Sequence, residues 1–358
     1  MQLQRISPLW VVLFLISFHG VSQEKILSFP TKHANIPYPM ENSFTIVNES
    51  SKELTVFLSK DNKISANHLD ENFNYVGRLY NNELPRKYRL PMGGTVTDKS
   101  YSLFFSNESQ DRFAVATFDF DKNSTSSFEI DLKLKKEIFL TSGTYSNRFY
   151  LISASYRENF LFLYQFDVDG SYEKTTIDLS QFEFYGRENY PSRLKSMLAL
   201  GVHNTSLTDV LWVKENIPYP LDSMTSLLKL YIIDDVIYLV SDINKDFTQI
   251  ISHDLNTKTS NYIKIDQPIA SSKYLNNSFL LDSMLFQIKV NSKALFYQIT
   301  AIKTGEILKT FELEKDDNLF LTDGVIKQRG GRYSNYRELE KTSQFLRKLN
   351  NGLPVIYV

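Results

Sequence analysis

Apolar and polar positions alternate with a period of two along most of the chain, a pattern that predicts strands. The clearest stretch runs from Arg148 to Leu179. Phe149 and Leu151 alternate with Tyr150 and Ile152. Phe160, Phe162, Tyr164 and Phe166 then share one face, while Leu161 and Leu163 take the other. A strand that is apolar on both faces belongs to a sheet held between two other sheets, not to one lying on water. Asp169-Gly170 supplies a tight turn, because both residues tolerate positive φ. Thr175, Ile177 and Leu179 resume the alternation. The density of β-branched and aromatic residues argues against helix.

The same hairpin recurs, with turns anchored at Asp70, Asp121, Asp169, Asn256 and Lys303. The anchors are about 50 residues apart, within the range of propeller blades. The third interval is nearly twice that, which leaves room for a degraded copy between Arg187 and Met224, best matched by His203–Glu215. Further strands precede the hairpins. They are Phe44–Val47 and Leu54–Leu58, Tyr101–Phe105 and Phe113–Phe118, Leu228–Ile233 and Val236–Val240, and Phe279–Leu285 with Phe286–Val290. Each unit thus has three to four antiparallel strands. One such unit cannot bury both faces alone, whereas units stacked radially can. Six units, one of them inferred, fill Phe44 to Leu313, and a seventh begins near Leu319–Ile326.

This layout resembles that of exported β-propeller proteins. The resemblance rests on repeat spacing and covers most of the mature chain. It implies an all-β, propeller-like array of about six to seven three- or four-stranded units over residues 44–326. No WD, kelch, NHL or Asp-box signature is present, so no functional residue carries over from those families. A pair of two-sheet sandwiches is the alternative architecture.

Helical periodicity is confined to short segments. Ser334–Asn351 places Leu339, Thr342, Leu346 and Leu349 on one stripe. Acidic residues come early, basic residues late, and Gly352 follows, which suits the helix dipole and a helix stop. Residues 327–358 are therefore expected to form a C-terminal helix and a final strand, Leu353–Val358. A shorter helix is expected over Pro191–Leu200, with proline in its first turn.

Composition narrows the class. The chain has 358 residues, 42% of them hydrophobic and 14% aromatic, enough for a large core. A formal net charge of −1 indicates neither nucleic acid nor an anionic membrane as partner. The absence of cysteine removes disulfides, thiolate metal sites and a cysteine nucleophile. At the N-terminus, Arg5 precedes the apolar run Leu9–Phe18, with small residues at Gly20 and Ser22. This reads as a secretory signal over residues 1–22, followed by an N-terminal segment over 23–43. The run is short for a bilayer span, and no other long apolar segment exists, so no stable membrane span is expected after cleavage. An exported chain without cysteine fits a bacterial periplasm or exterior.

Three connecting segments are rich in arginine and tyrosine. Leu84–Gly94 carries Arg86, Tyr88 and Arg89, Tyr185–Lys195 carries Tyr185, Arg187, Tyr190 and Arg193, and Gln328–Arg337 carries Arg329, Arg332 and Tyr333. Flat rings and forked donors hold sugars, carboxylates or protein partners. At least two of these segments are expected to share one ligand-binding face; ordinary solvated loops are the plainer reading. Asp119-x-Asp121 and Asp167-x-Asp169-Gly170 present oxygen ligands at alternate positions but complete no calcium loop, so turn chemistry explains them. His68 and His253 occupy similar places just before a turn, which points to repeat architecture. No G-x-S-x-G elbow, phosphate loop or paired-histidine metal motif occurs, and no cofactor or metal is expected. The expected function is a secreted or periplasmic binding or scaffold protein that recognises a glycan or protein partner. A carbohydrate-active hydrolase or lyase and a structural component of an envelope complex are the alternatives. Expression in a bacterial host followed by N-terminal sequencing of the exported product should give a start near Gln23; a mature chain beginning at Met1 would remove the export reading.

Overall fold

The computed structural model describes residues 42–199, 210–214, 217, 219–269, 273–318, 326–328, 337–339 and 341–356. The expected signal, most of the N-terminal segment, the core of the expected degraded repeat and the start of the expected seventh unit lie outside these residues.

The chain is an all-β, propeller-like array. The first sheet contains β1 (Asn42–Val47), β2 (Leu54–Lys60), β3 (Lys63–Leu69) and β4 (Tyr75–Asn81). The second contains β5 (Leu90–Thr97), β6 (Ser100–Ser106), β7 (Arg112–Asp119) and β8 (Ser124–Lys133). The third contains β9 (Glu137–Tyr145), β10 (Arg148–Ser155), β11 (Phe160–Phe166) and β12 (Tyr172–Asp178). In each, consecutive strands are hydrogen-bonded neighbours and antiparallel. The hairpin β13 (Phe184–Tyr185) and β14 (Pro191–Ser192) and a single helical turn, α1 (Leu194–Met197), come next. β15 (Leu211–Val213) and the turn α2 (Leu221–Met224) then lead to β16 (Leu228–Ile233), β17 (Val236–Ser241), β18 (Phe247–Asp254) and β19 (Ser260–Asp266). These four strands form the fourth large sheet, with β15 added parallel to β16. The fifth contains β20 (Leu275–Leu281), β21 (Met284–Val290), β22 (Ala294–Ala301) and β23 (Ile307–Glu314). A small hairpin, β24 (Ile326–Gln328) and β25 (Arg337–Leu339), precedes α3 (Thr342–Asn351).

Every hairpin anchor found in the sequence falls on the turn between the third and fourth strand of a large sheet. The double interval is described only in part, and most of His203–Glu215 lies outside the described residues. Its described part holds β13–β14, α1 and β15, and β15 joins the following sheet instead of forming a unit of its own. The expected helix at Pro191 is reduced to Leu194–Met197, because Pro191 and Ser192 pair with Tyr185 and Phe184. The expected break after Leu285 lies instead at Asp282-Ser283, two residues with positive φ that turn β20 directly into β21. Asp98, Ser146-Asn147 and Asp234-Asp235 make the matching first-to-second-strand turns. Short polar side chains tolerate this left-handed conformation better than others do.

Third-sheet side chains confirm burial on both faces. Phe149, Leu151, Tyr164 and Phe166 pack with Phe104, Phe113 and Val115 of the second sheet. Phe104 and Phe149 stack with centroids 4.3 Å apart. Tyr150, Ile152, Leu161 and Leu163 pack with Leu228, Leu230, Ile237 and Leu239 of the fourth. α3 starts later than the helical stripe suggested, because Arg337–Leu339 pairs with Ile326–Gln328 as a strand. Its Leu346, together with Ile356, packs on Phe286, Ile288, Val290 and Leu295, so the helix covers the free face of the fifth sheet. Residues 353–356 make no strand.

The first strands of successive sheets stand side by side, running the same way. Thr144 Oγ1 accepts from Gly94 N at 3.1 Å and donates to Gly94 O at 2.7 Å. Asn147 repeats this on Val96, accepting from its N–H at 2.8 Å and donating to its C=O. Asn48 Nδ2 donates to Asp98 O at 2.8 Å. A Cβ on Gly94 would stand 2.3 Å from Ile46 Cδ1 and 2.7 Å from Ser102 O. Glycine is what permits the approach.

Sheets four and five meet differently at one end. Lys229, buried from solvent, donates to Ser226 O and, at 2.8 Å, to Asn277 Oδ1. Buried Asp242 accepts from Thr248 Oγ1 at 2.7 Å and Ser278 Oγ at 2.6 Å. Asn276 Nδ2 donates to Asp242 O, and Lys289 Nζ to the carbonyls of Lys245 and Ile269. Burial pushes the Lys229 and Lys289 amines down to about 8. The folded chain therefore gives up these protons at a lower pH than the unfolded chain does. Between about pH 8 and 10 the unfolded chain binds more protons, so these lysines make stability rise with pH in that window. Denaturant unfolding should show a smaller rise for Lys229→Met than for the parent, and equal slopes would exclude Lys229 as a source. Gly94→Val should cost about 1–3 kcal/mol through the forced contacts, read as a lower denaturation midpoint.

Candidate functional site

Where the first-to-second-strand turns converge, the inner strands enclose a cavity of about 520 Å³. Its walls are Phe44–Ser50 from the first sheet, Gly94 and Val96 from the second, Thr144, Ser146 and Asn147 from the third, and Lys214 and Ile217 beyond β15. Such a volume suits a small-molecule or terminal-residue ligand. The wall is mostly uncharged. Thr45, Ser50 and Ser146 present hydroxyls, Val47 and Ile217 present exposed apolar surface, and the amides of Asn48 and Asn147 are engaged by backbone.

Lys214 directly follows β15 in this wall. Trp212 lies against the backbone of β9, where a Cβ on Gly143 would stand 2.8 Å from the indole. Tyr219 Oη donates to Trp212 O at 3.0 Å and accepts from Lys214 N at 2.8 Å. Burial lowers the Lys214 amine below the usual lysine range. Among the described residues, no carboxylate contributes to that shift. Glu49, the acid in the lining, is exposed.

The arginine- and tyrosine-rich segments lie elsewhere. Arg86, Tyr88 and Arg89 belong to the β4–β5 connection, and Tyr185, Arg187, Tyr190 and Arg193 to the connection that follows β12. Both run from an outer strand to the inner region of the array, at the end opposite the cavity turns. Arg89 pairs with Glu108 in the β6–β7 loop, and Arg193 Nη1 donates to Arg157 O in the β10–β11 loop at 3.1 Å. The two connections share that end of the array but are separated by two sheets. Their residues also differ in role. Tyr88 is 1% exposed, packs in the core between the first two sheets and donates to Glu129 Oε2 at 2.8 Å. Tyr185 anchors its hairpin to the fourth sheet, its N–H donating to Gln249 Oε1 and its C=O accepting from Gln249 Nε2, while Lys264 lies 4.5 Å over its ring. Arg86, Arg187 and Arg193 are exposed, and Tyr190 is 77% exposed. Arg329, Arg332 and Tyr333 lie outside the described residues.

The acidic turns use their carboxylates locally. Asp119 accepts from Lys122 N at 2.9 Å, and Asp169 from Ser171 N and Oγ. His68 and His253 both stand one residue before the end of a third strand, with their Nδ1 atoms on Thr55 and Ser260 hydroxyls. Among the described residues, no cluster of three acidic or histidine side chains could hold a metal ion, and no helix is long and apolar enough to cross a membrane.

Sequence reasoning passed over Lys214, Lys229, Asp242 and Lys289. A signal for two of them was present. Lys229 and Lys289 sit inside strands that are apolar on both faces, where a lysine has no route to solvent. Lys214 has a weaker mark, a cation directly after the apolar run Leu211–Val213.

No family model and no curated protein matches the chain. Among solved structures, it is similar to cobalt-substituted apocarotenoid oxygenase from Synechocystis, with 9% identity, 76% of this chain and 61% of that chain covered, and a TM-score of 0.37. It is also similar to a quinonprotein alcohol dehydrogenase-like protein from Bacteroides thetaiotaomicron, with 12% identity, 73% and 53% covered, and a TM-score of 0.32. The chain thus spans about three fifths or less of the length of these structures.

Proposed function

We propose that this chain is an exported, propeller-like binding protein that recognises a glycan through the cavity at its inner strands. The observation that carries this reading is the lining of that cavity. Hydroxyls of Thr45 on β1 and of Ser50 and Ser146 in turns border a space of about 520 Å³, and the described wall offers a single carboxylate, Glu49. Hydrolysis by a carboxylate pair needs two such groups with different environments. Neutral donors and acceptors in such a wall favour recognition over bond cleavage. The N-terminal signal pattern supports placing this binding in the periplasm or outside the cell.

A second reading puts a protein partner on the opposite end, where Arg187, Tyr190 and Arg193 stand exposed. Exposed arginine and tyrosine are the residue types that dominate interface energetics. Two variants separate the readings. Thr45→Trp fills the cavity from an exposed position on β1, and Arg187→Ala with Tyr190→Ala strips the far rim. A glycan array should show retention by the parent and by the rim variant, with at least tenfold weaker binding by Thr45→Trp at an unchanged melting temperature. Equal glycan binding by all three would remove the cavity from consideration. Release of reducing ends from a bound glycan would replace binding with hydrolysis.

A further inference from the structure

We propose that the glycan bound in the inner-strand cavity carries a carboxylate, as a uronic-acid unit does, and that this group is held by the ammonium of Lys214. The inference rests on the cavity reading above and narrows its ligand class. Among the described residues, Lys214 is the one cation in the wall of the cavity, and no carboxylate forms an ion pair with it. Taking an ammonium out of water without a counter-charge costs free energy, and a fold that holds one there gains when an anion arrives. Hydrogen bonds to Tyr219 hold the backbone at this position. Tyr219 ties the backbone of Lys214 to that of Trp212, and Trp212 is lodged against Gly143. A preorganised cation loses little freedom when it pairs with a ligand.

The rest of the wall decides what surrounds the carboxylate. Thr45, Ser50 and Ser146 offer hydroxyls that can both donate and accept, and Val47 and Ile217 offer apolar patches. A sugar ring has the matching parts, hydroxyls at its edge and C–H groups on its faces. A neutral sugar would leave the Lys214 charge uncompensated, whereas a uronic acid satisfies both the charge and the hydroxyls. The depressed amine is in keeping with this geometry, since burial sets it. Across the cavity, Glu49 is exposed and disfavours anions only weakly, because solvent screens it.

The test is calorimetric, at pH 7 and constant salt, on the full mature chain. The probes are oligomers of galacturonate, glucuronate and mannuronate, the methyl ester of the galacturonate oligomer, and a neutral galactan oligomer. At least one uronate oligomer should bind the parent tenfold or more tightly than the ester or the neutral oligomer do. Lys214→Met should abolish that preference while keeping its melting temperature, and Lys214→Arg should retain part of it. Equal binding of acid, ester and neutral probes would overturn the inference and leave the glycan reading standing. A preference for acid that survives in Lys214→Met would overturn the assignment to this residue. Failure of every acidic and neutral glycan to bind would overturn both readings together. If Lys214→Met does not fold, selective ¹³C-methylation of lysines in the parent gives the same answer. The methyl signal lost in Lys214→Arg should move on adding the uronate oligomer and stay put with its ester; a signal unmoved by the acid would overturn the proposal.

Discussion

The structure depends on how the inner edge of each sheet is satisfied. An edge strand presents unpaired N–H and C=O groups, and these must meet partners or water. β1, β5 and β9 stand next to one another without sharing a backbone ladder. Side chains of the neighbouring sheet pair with their backbone instead. Thr144 and Asn147 each accept from and donate to one residue of β5, and Asn48 reaches the turn after it. These clips need short side chains and close backbones, which is why Gly94 and Gly143 sit where adjacent strands touch. The fourth sheet meets the same constraint by adding a strand: β15 occupies the inner position that β16 would otherwise hold. The cavity lies beside these clips, with Gly94, Val96, Thr144 and Asn147 in its wall.

Between the sheets, two kinds of joint coexist. The second, third and fourth sheets press aromatic and aliphatic faces together, as in the stack of Phe104 on Phe149. The fourth and fifth combine an apolar patch with a dense polar seam around Asp242, Lys229 and the run Asn276–Ser278. A buried polar network of this kind adds little net stability. What it supplies is a single permitted register, because any slip leaves a charge without its partners.

The repeat was legible in the sequence because the third-to-fourth-strand turn keeps its polar anchor in every sheet, from Asp70 to Lys303. The two-sided burial of the central sheet was legible too, since Leu161 and Phe162 can only point to opposite faces. The turn at Asp282-Ser283 was missed because nothing but two short polar residues interrupts an otherwise apolar run. The parallel strand β15 was read as the remnant of a unit, as alternation cannot say which sheet a strand joins. Tyr88 shows the limit for candidate sites. Its neighbours Arg86 and Arg89 are exposed, yet its own ring belongs to the core, and only the fold decides which side of a loop faces inward. The cavity was invisible for the same reason. Its lining comes from four places in the chain, none of them unusual in composition.

The mixed joint between the last two large sheets bears on how the molecule comes apart. Local opening follows the weakest cooperative boundary. The fifth sheet carries its own cover in α3, so it can leave its neighbour as a preassembled piece with one side still sealed. The surface it would uncover carries amides, hydroxyls and ammonium groups beside the apolar patch around Val240, Ile250 and Leu285. A partly unzipped chain of this design would bare less greasy surface than a wholly apolar break would.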